Sequence, residues 1–114
     1  METLKVSSTS NPNSVAGALA GAVRRHHVAT VTVVGAGALN QSIKAVAIAR
    51  NHVRDDGLDL ICIPSFTEVD IDGAARTAIV LRVEHRPAVV DLRATADAEA
   101  AAPNTPPRKV NPAT

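Results

Sequence analysis

Val31-Thr32-Val33-Val34 runs straight into Gly35-Ala36-Gly37, and the chain continues from Ala38 to Arg50 without another Gly or any Pro. The β-branched residues favour a strand, and the residues after the glycines carry the apolar spacing of an amphipathic helix. A turn of small residues therefore joins a strand directly to a helix. Glycine tolerates φ > 0 and close approach of another segment, while the first turn of the helix leaves N–H groups without partners. The corner has two readings. It is either a tight turn shaped by its glycines, or an anion-accepting corner with Asn40, Gln41 and Lys44 nearby as polar partners.

The same plan occurs earlier in the chain. Leu4 to Ser8 reads as a short strand, followed by the polar loop Thr9-Ser10-Asn11-Pro12-Asn13-Ser14. Asn11 can cap a helix with Pro12 at its first position, and Asn13 or Ser14 are alternative caps. Val15, Leu19 and Val23 form an apolar stripe flanked by Ala18 and Ala22. Arg24 and Arg25 fall in the last turn, where positive charge suits the helix dipole. Ala16-Gly17 and Ala20-Gly21 place small residues on one helical face, for close packing within the chain or against a second copy.

The rest of the chain supplies two further strands. Leu39, Ile43, Val46 and Val53 continue the second apolar stripe, and Asp55-Asp56-Gly57 ends that helix. Leu58 to Phe66 is strand-like, with Pro64 pointing to an edge position or a bulge. Val69 and Ile71 alternate with Glu68, Asp70 and Asp72 as a half-solvated extension. Asp72-Gly73 signals a hairpin, and Thr77 to Arg86 returns as the last strand. The resulting order, βαβαββ, predicts an α/β two-layer sandwich: a four-stranded mixed sheet with both helices on one face. After Arg86, residues 87–114 become Ala- and Pro-rich and read as a disordered tail.

Composition narrows the function. The 114 residues suffice for one modest domain, and its 46% hydrophobic content is mostly Ala and Val, with Phe66 the sole aromatic. Such a core of small side chains gains from oligomerisation. No leader or membrane-spanning stretch is visible, which leads to the expectation of a cytoplasmic protein. Cys62 lies in the apolar run 60–63 and reads as a buried reduced thiol rather than a nucleophile. His26, His27 and His52 read as solvated residues near helix ends, and their spacing gives no metal motif. Gly35-x-Gly37 lacks a third glycine at Asn40, so no dinucleotide fingerprint is present. No catalytic residue, metal or cofactor is expected.

Asn11 to Gly21, the run Gly35 to Arg50, and Asp59-Leu60-Ile61-Cys62-Ile63-Pro64-Ser65-Phe66 together resemble the bacterial stage V sporulation protein S family over about residues 2–86. That resemblance implies an Alba-like fold, a role in sporulation, septation or developmental control, and binding of DNA or RNA as a homo-oligomer, typically a dimer. Alba-type proteins usually place lysines in the first loop and arginines near the second. This chain has Ser10, Asn11, Asn13 and Ser14 in the first and Gly35, Ala36 and Gly37 in the second. With 12 Lys and Arg against 11 Asp and Glu, charge-driven coating of DNA is disfavoured. The acidic hairpin around Asp70 repels phosphate, and a stacking platform of aromatics is missing. The expected interface therefore rests on hydrogen bonding by Asn11, Asn13, Ser14, Gly37, Asn40 and Gln41, with Lys44 as cation. The alternative is an assembly module whose corners meet a protein partner.

Overall fold

A computed structural model describes residues 2–89. The elements follow the predicted order: β1 (Glu2–Val6), α1 (Pro12–His26), β2 (Val28–Val33), α2 (Ala36–Arg54), β3 (Leu58–Ile71) and β4 (Ala74–Pro87). The sheet order is β1-β2-β4-β3. β1 and β2 are parallel, while β4 runs antiparallel to both β2 and β3. Parallel neighbours need a crossover, which α1 supplies.

Side-chain alternation divides the sheet. Val6, Ala29, Val31, Val33, Leu81 and Val83 lie in the core with Leu19, Val23 and Val53 from the helices. The opposite face carries Thr3, Lys5, Thr30 and Arg82, and the Thr3 and Thr30 hydroxyls are 2.9 Å apart. Ala16, Ala20, Ala22, Ala38, Ala45 and Ala49 are all nearly inaccessible. The small helical residues thus serve packing inside the chain: Ala16 and Ala20 point inward, while Gly17 is exposed.

Some local expectations need adjustment. The second helical stripe is built from Ala38, Ser42, Ala45, Val46, Ala49 and Val53, whereas Ile43 is 49% exposed. Ser42 tolerates burial because its hydroxyl donates to the Ala38 carbonyl at 2.9 Å. The last strand extends through Pro87, past the break expected after Arg86. The Ala88 N–H then donates to the Gly57 carbonyl at 2.8 Å. The remainder of the expected tail, residues 90–114, lies outside the described residues.

β3 is an edge strand, and Pro64 keeps its place opposite Leu81 without interrupting the register. Asp72 at φ 53° and Gly73 at φ 81° make the two-residue turn to β4, the left-handed pair that matches strand twist. β2 pairs with β4 only as far as Ile79, so the hairpin beyond that point forms a two-stranded arm. Cys62 is half-buried rather than enclosed, and burial raises its thiol pKa.

Arg50 fastens the end of α2 to the start of β3. Its Nε donates to Asp59 Oδ1 at 2.7 Å and its Nη2 to Oδ2 at 3.0 Å, while the Leu60 N–H adds a third bond at 2.8 Å. The Arg50 guanidinium foremost, then the Leu60 amide, hold the Asp59 carboxyl down to about 2, against an ordinary 3.8. A lowered folded-state pKa stabilises the fold above the unfolded value, and that contribution is lost as pH falls through the folded value. The pair is partly solvent-screened, with Asp59 24% and Arg50 50% exposed, so its contribution is about 1 kcal/mol. Urea titrations should show wild type losing stability from about pH 4 toward pH 2, with Asp59→Asn less stable at neutral pH and flatter over that range. Parallel pH profiles for the two proteins would exclude this pair as the source.

Candidate nucleic-acid interface

Because β1 and β2 are parallel, both strand-to-helix turns leave the sheet at the same end. Asn11 caps α1: its Oδ1 accepts from the Asn13 N–H at 2.8 Å and the Ser14 N–H at 3.3 Å. This selects Asn11 among the three possible caps and places Pro12 at the first helical position. The loop before it is tied to itself. The Ser7 N–H donates to Ser10 Oγ at 2.9 Å, the Ser10 N–H donates to the Ser7 carbonyl at 3.1 Å, and the Ser7 and Thr9 hydroxyls meet at 3.1 Å.

The second corner is built differently. Gly35 precedes α2 at φ 89° and gives no side-chain cap. Gly37 lies in the first turn against Ser8, so close that a Cβ at Gly37 would stand 2.8 Å from the Ser8 Cβ. Gln41 reaches across from α2, donating from Nε2 to the Ser10 carbonyl at 2.9 Å. The close approach expected at Gly37 is therefore made by the chain's own first loop.

Of the predicted interface residues, Asn11, Asn13, Ser14, Gly37, Asn40 and Lys44 are solvent-exposed and Gln41 is half-buried. The Asn11 side-chain oxygen is engaged in capping α1, and the Gln41 amide ties α2 to the first loop. Lys44 lies seven residues beyond Gly37, about 10 Å along the helix axis, so it extends the surface instead of completing the turn.

Neither helix carries an acidic residue in its first turn. The absence extends further: no Asp or Glu occurs between Thr3 and Arg54. This signal is visible in the sequence but is hidden by the balanced total charge. Among the described residues, the acids lie at the far end and on the hairpin, and several neutralise basic groups. Arg24 Nε donates to Asp56 at 2.6 Å, and Arg25 pairs with Glu2, whose carboxyl it lowers. Arg82 pairs with Glu84 at 3.0 Å. Among the described residues, Lys5 and Lys44 form no ion pair.

Long-range geometry also changes the account of the histidines. His27 ends α1 at φ 68°, its N–H donating to the Val23 carbonyl at 2.8 Å, and it is not merely a solvated side chain. Its Nδ1 hydrogen-bonds to His85 Nε2, with ring centroids 4.6 Å apart at 62°. Among the described residues, no cluster of three or more His, Cys, Asp or Glu could hold a metal ion.

The Gly37–Ser8 contact gives a direct test of how the corners are joined. Gly37→Ala should lower unfolding stability by about 1 kcal/mol, because the clash outweighs the helix-propensity gain. In a Ser8→Gly background the same substitution should become neutral or stabilising, a coupling visible in a double-mutant cycle by chemical denaturation. Additive effects would show that the two loops move independently.

A family model described as stage V sporulation protein S matches residues 2–86, spanning all six elements to the penultimate residue of β4. The chain belongs to the stage V sporulation protein S (SpoVS) family, and its role is accordingly related to sporulation.

Proposed function

We propose that this protein is a non-enzymatic regulator of sporulation or septation that binds RNA or DNA as a homo-oligomer through its paired loop–helix corners. The observation that carries this reading lies at the corner end of the sheet, where neither helix has an acidic residue in its first turn. Two helix N-termini open there side by side, and Asn13, Ser14 and Asn40 stand exposed around them. The first-turn N–H groups of α2, which has no side-chain cap, and the uncharged side-chain donors of both corners suit phosphate and sugar oxygens, contacts that position a strand without reading its sequence. Lys44 adds one unpaired cation along α2. The Alba-like resemblance of the βαβαββ order supports the same reading.

Oligomerisation is supported by the β3 edge. That strand leaves one side unpaired, and Phe66 and Ile63 beside it are 80% and 49% exposed. The same exposed apolar groups favour the second reading, an assembly module with a protein partner and no direct nucleic-acid contact.

Fluorescence anisotropy of labelled RNA and DNA against the full chain, across a salt series, separates the two. Under the first reading Asn13→Ala weakens binding, and Lys44→Ala weakens it while reducing the salt slope by about one unit. Saturable binding unaffected by either substitution would displace the site from the corners. No binding at low salt by a chain that sedimentation shows to be oligomeric would favour assembly.

A further inference from the structure

A cleft of about 540 Å³ opens beside the corners, on the side of the hairpin arm. Three segments distant in sequence form its walls. β1 and its loop supply Lys5, Ser7 and Ser8, the β2–α2 turn supplies Gly35 and Gly37, and the arm supplies Asp70. Thr32 adds a hydroxyl, and Val34, Val69 and Ile71 add apolar surface. The volume falls within the range of small-molecule sites and is too small for a duplex.

The lining constrains the occupant. Lys5 and Asp70 both border the cleft, yet neither forms an ion pair with the other or with another described residue. A ligand in the cleft therefore meets one cation and one carboxylate that are free to bind it, with apolar surface between hydroxyl-bearing walls. Phosphate suits Lys5, and sugar hydroxyls suit the serines and threonine. A base can donate N–H groups to Asp70, guanine best because it presents two adjacent donors, while Val34 adds apolar surface to the wall.

We infer that this cleft binds a nucleoside monophosphate, with Lys5 on its phosphate and Asp70 on its base. The site is separate from polymer binding at the outer corners, because Asn13, Ser14, Asn40 and Lys44 do not line it. The same chemistry is offered by a free nucleotide and by the 5′-terminal nucleotide of an RNA.

Isothermal titration of the full chain with GMP should show saturable binding, with Kd on the order of 10–100 µM. Ribose 5-phosphate, which lacks the base, should bind more weakly. Lys5→Gln should weaken both ligands about tenfold, and Lys5→Arg should restore much of the loss. Asp70→Asn should remove the preference for GMP over ribose 5-phosphate. Lys5 and Asp70 are exposed, so these variants should keep the parent circular dichroism spectrum. Asn13→Ala and Lys44→Ala serve as controls and should leave GMP affinity unchanged, which separates failure here from failure of the polymer reading. Paired oligoribonucleotides with a 5′-phosphate or a 5′-hydroxyl distinguish the sources. A Lys5-dependent gain from the phosphate assigns the chain end, and no gain beside GMP binding assigns the free nucleotide. Absence of saturation by GMP and by the phosphorylated oligonucleotide at ~5 mM, or GMP affinity indifferent to Lys5→Gln, overturns the proposal.

Discussion

The parallel pairing of β1 with β2 governs everything built at the corner end. An antiparallel pair could be closed by a short turn, and its helices would then begin at opposite ends of the sheet. The register from Glu2↔Ala29 to Val6↔Val33 instead requires a crossover, and α1 provides it. Both strands then point the same way, and the chain leaves each of them through a loop at a helix N-terminus. β4 closes β2 from its other side, and β3 takes the edge. The hairpin, longer than β2, projects as an arm past the same end and forms the outer wall of the cleft.

Small side chains let the helical layer sit close to this sheet. Six buried alanines in α1 and α2 contribute little apolar area each, but they allow backbones to approach where larger residues would hold them apart. Leu19, Val23, Val53 and the inward valines of β2 fill the remaining space. The ion pairs at the far end are of lesser weight. Arg24, Arg25 and Arg82 are each roughly half exposed, and solvent screening leaves such surface pairs a small contribution. Packing therefore dominates stability, and the Arg24–Asp56 and Arg25–Glu2 pairs tie the end of α1 to the end of α2 and to β1. Their arrangement has a further effect: it pairs Glu2, Asp56 and Glu84 with arginines away from the helix starts.

Elements with local chemical causes were legible in the sequence. Pro12 after Asn11 marks a helix start because the ring fixes φ and the missing N–H is not needed there. Asp72-Gly73 marks a hairpin because two left-handed residues match strand twist. The second helical stripe was harder to read. Alanine and serine carry little hydrophobic signal, so Ile43 stood out in a pattern whose buried members include Ser42. Contacts between distant segments left no periodic trace at all. The Arg50–Asp59 fork, the His27–His85 bond and the Gly37–Ser8 approach depend on how finished elements meet. Lys5 and Asp70 were visible as charges on strands, yet only the curl of the arm brings them to one cleft. The acid-free stretch from Thr3 to Arg54 was legible, but summing charge over the whole chain conceals it.

The contact between Ser8 and Gly37 joins the two proposed binding regions. Both residues line the cleft, and the same contact sets the spacing of the two helix starts on the outer side. Gln41 reinforces it by holding the Ser10 carbonyl. A ligand that presses this contact from the cleft acts on the geometry offered to a polymer outside. Linkage then requires the effect to be mutual: whatever factor a nucleotide applies to polymer affinity, the polymer applies to nucleotide affinity. The sign follows from the contact itself. A ligand that draws the first loop against α2 favours the spacing seen here, and one that wedges Ser8 from Gly37 opposes it. Gly37 thus matters both as a wall of the cleft and as the point where two surfaces share one backbone position.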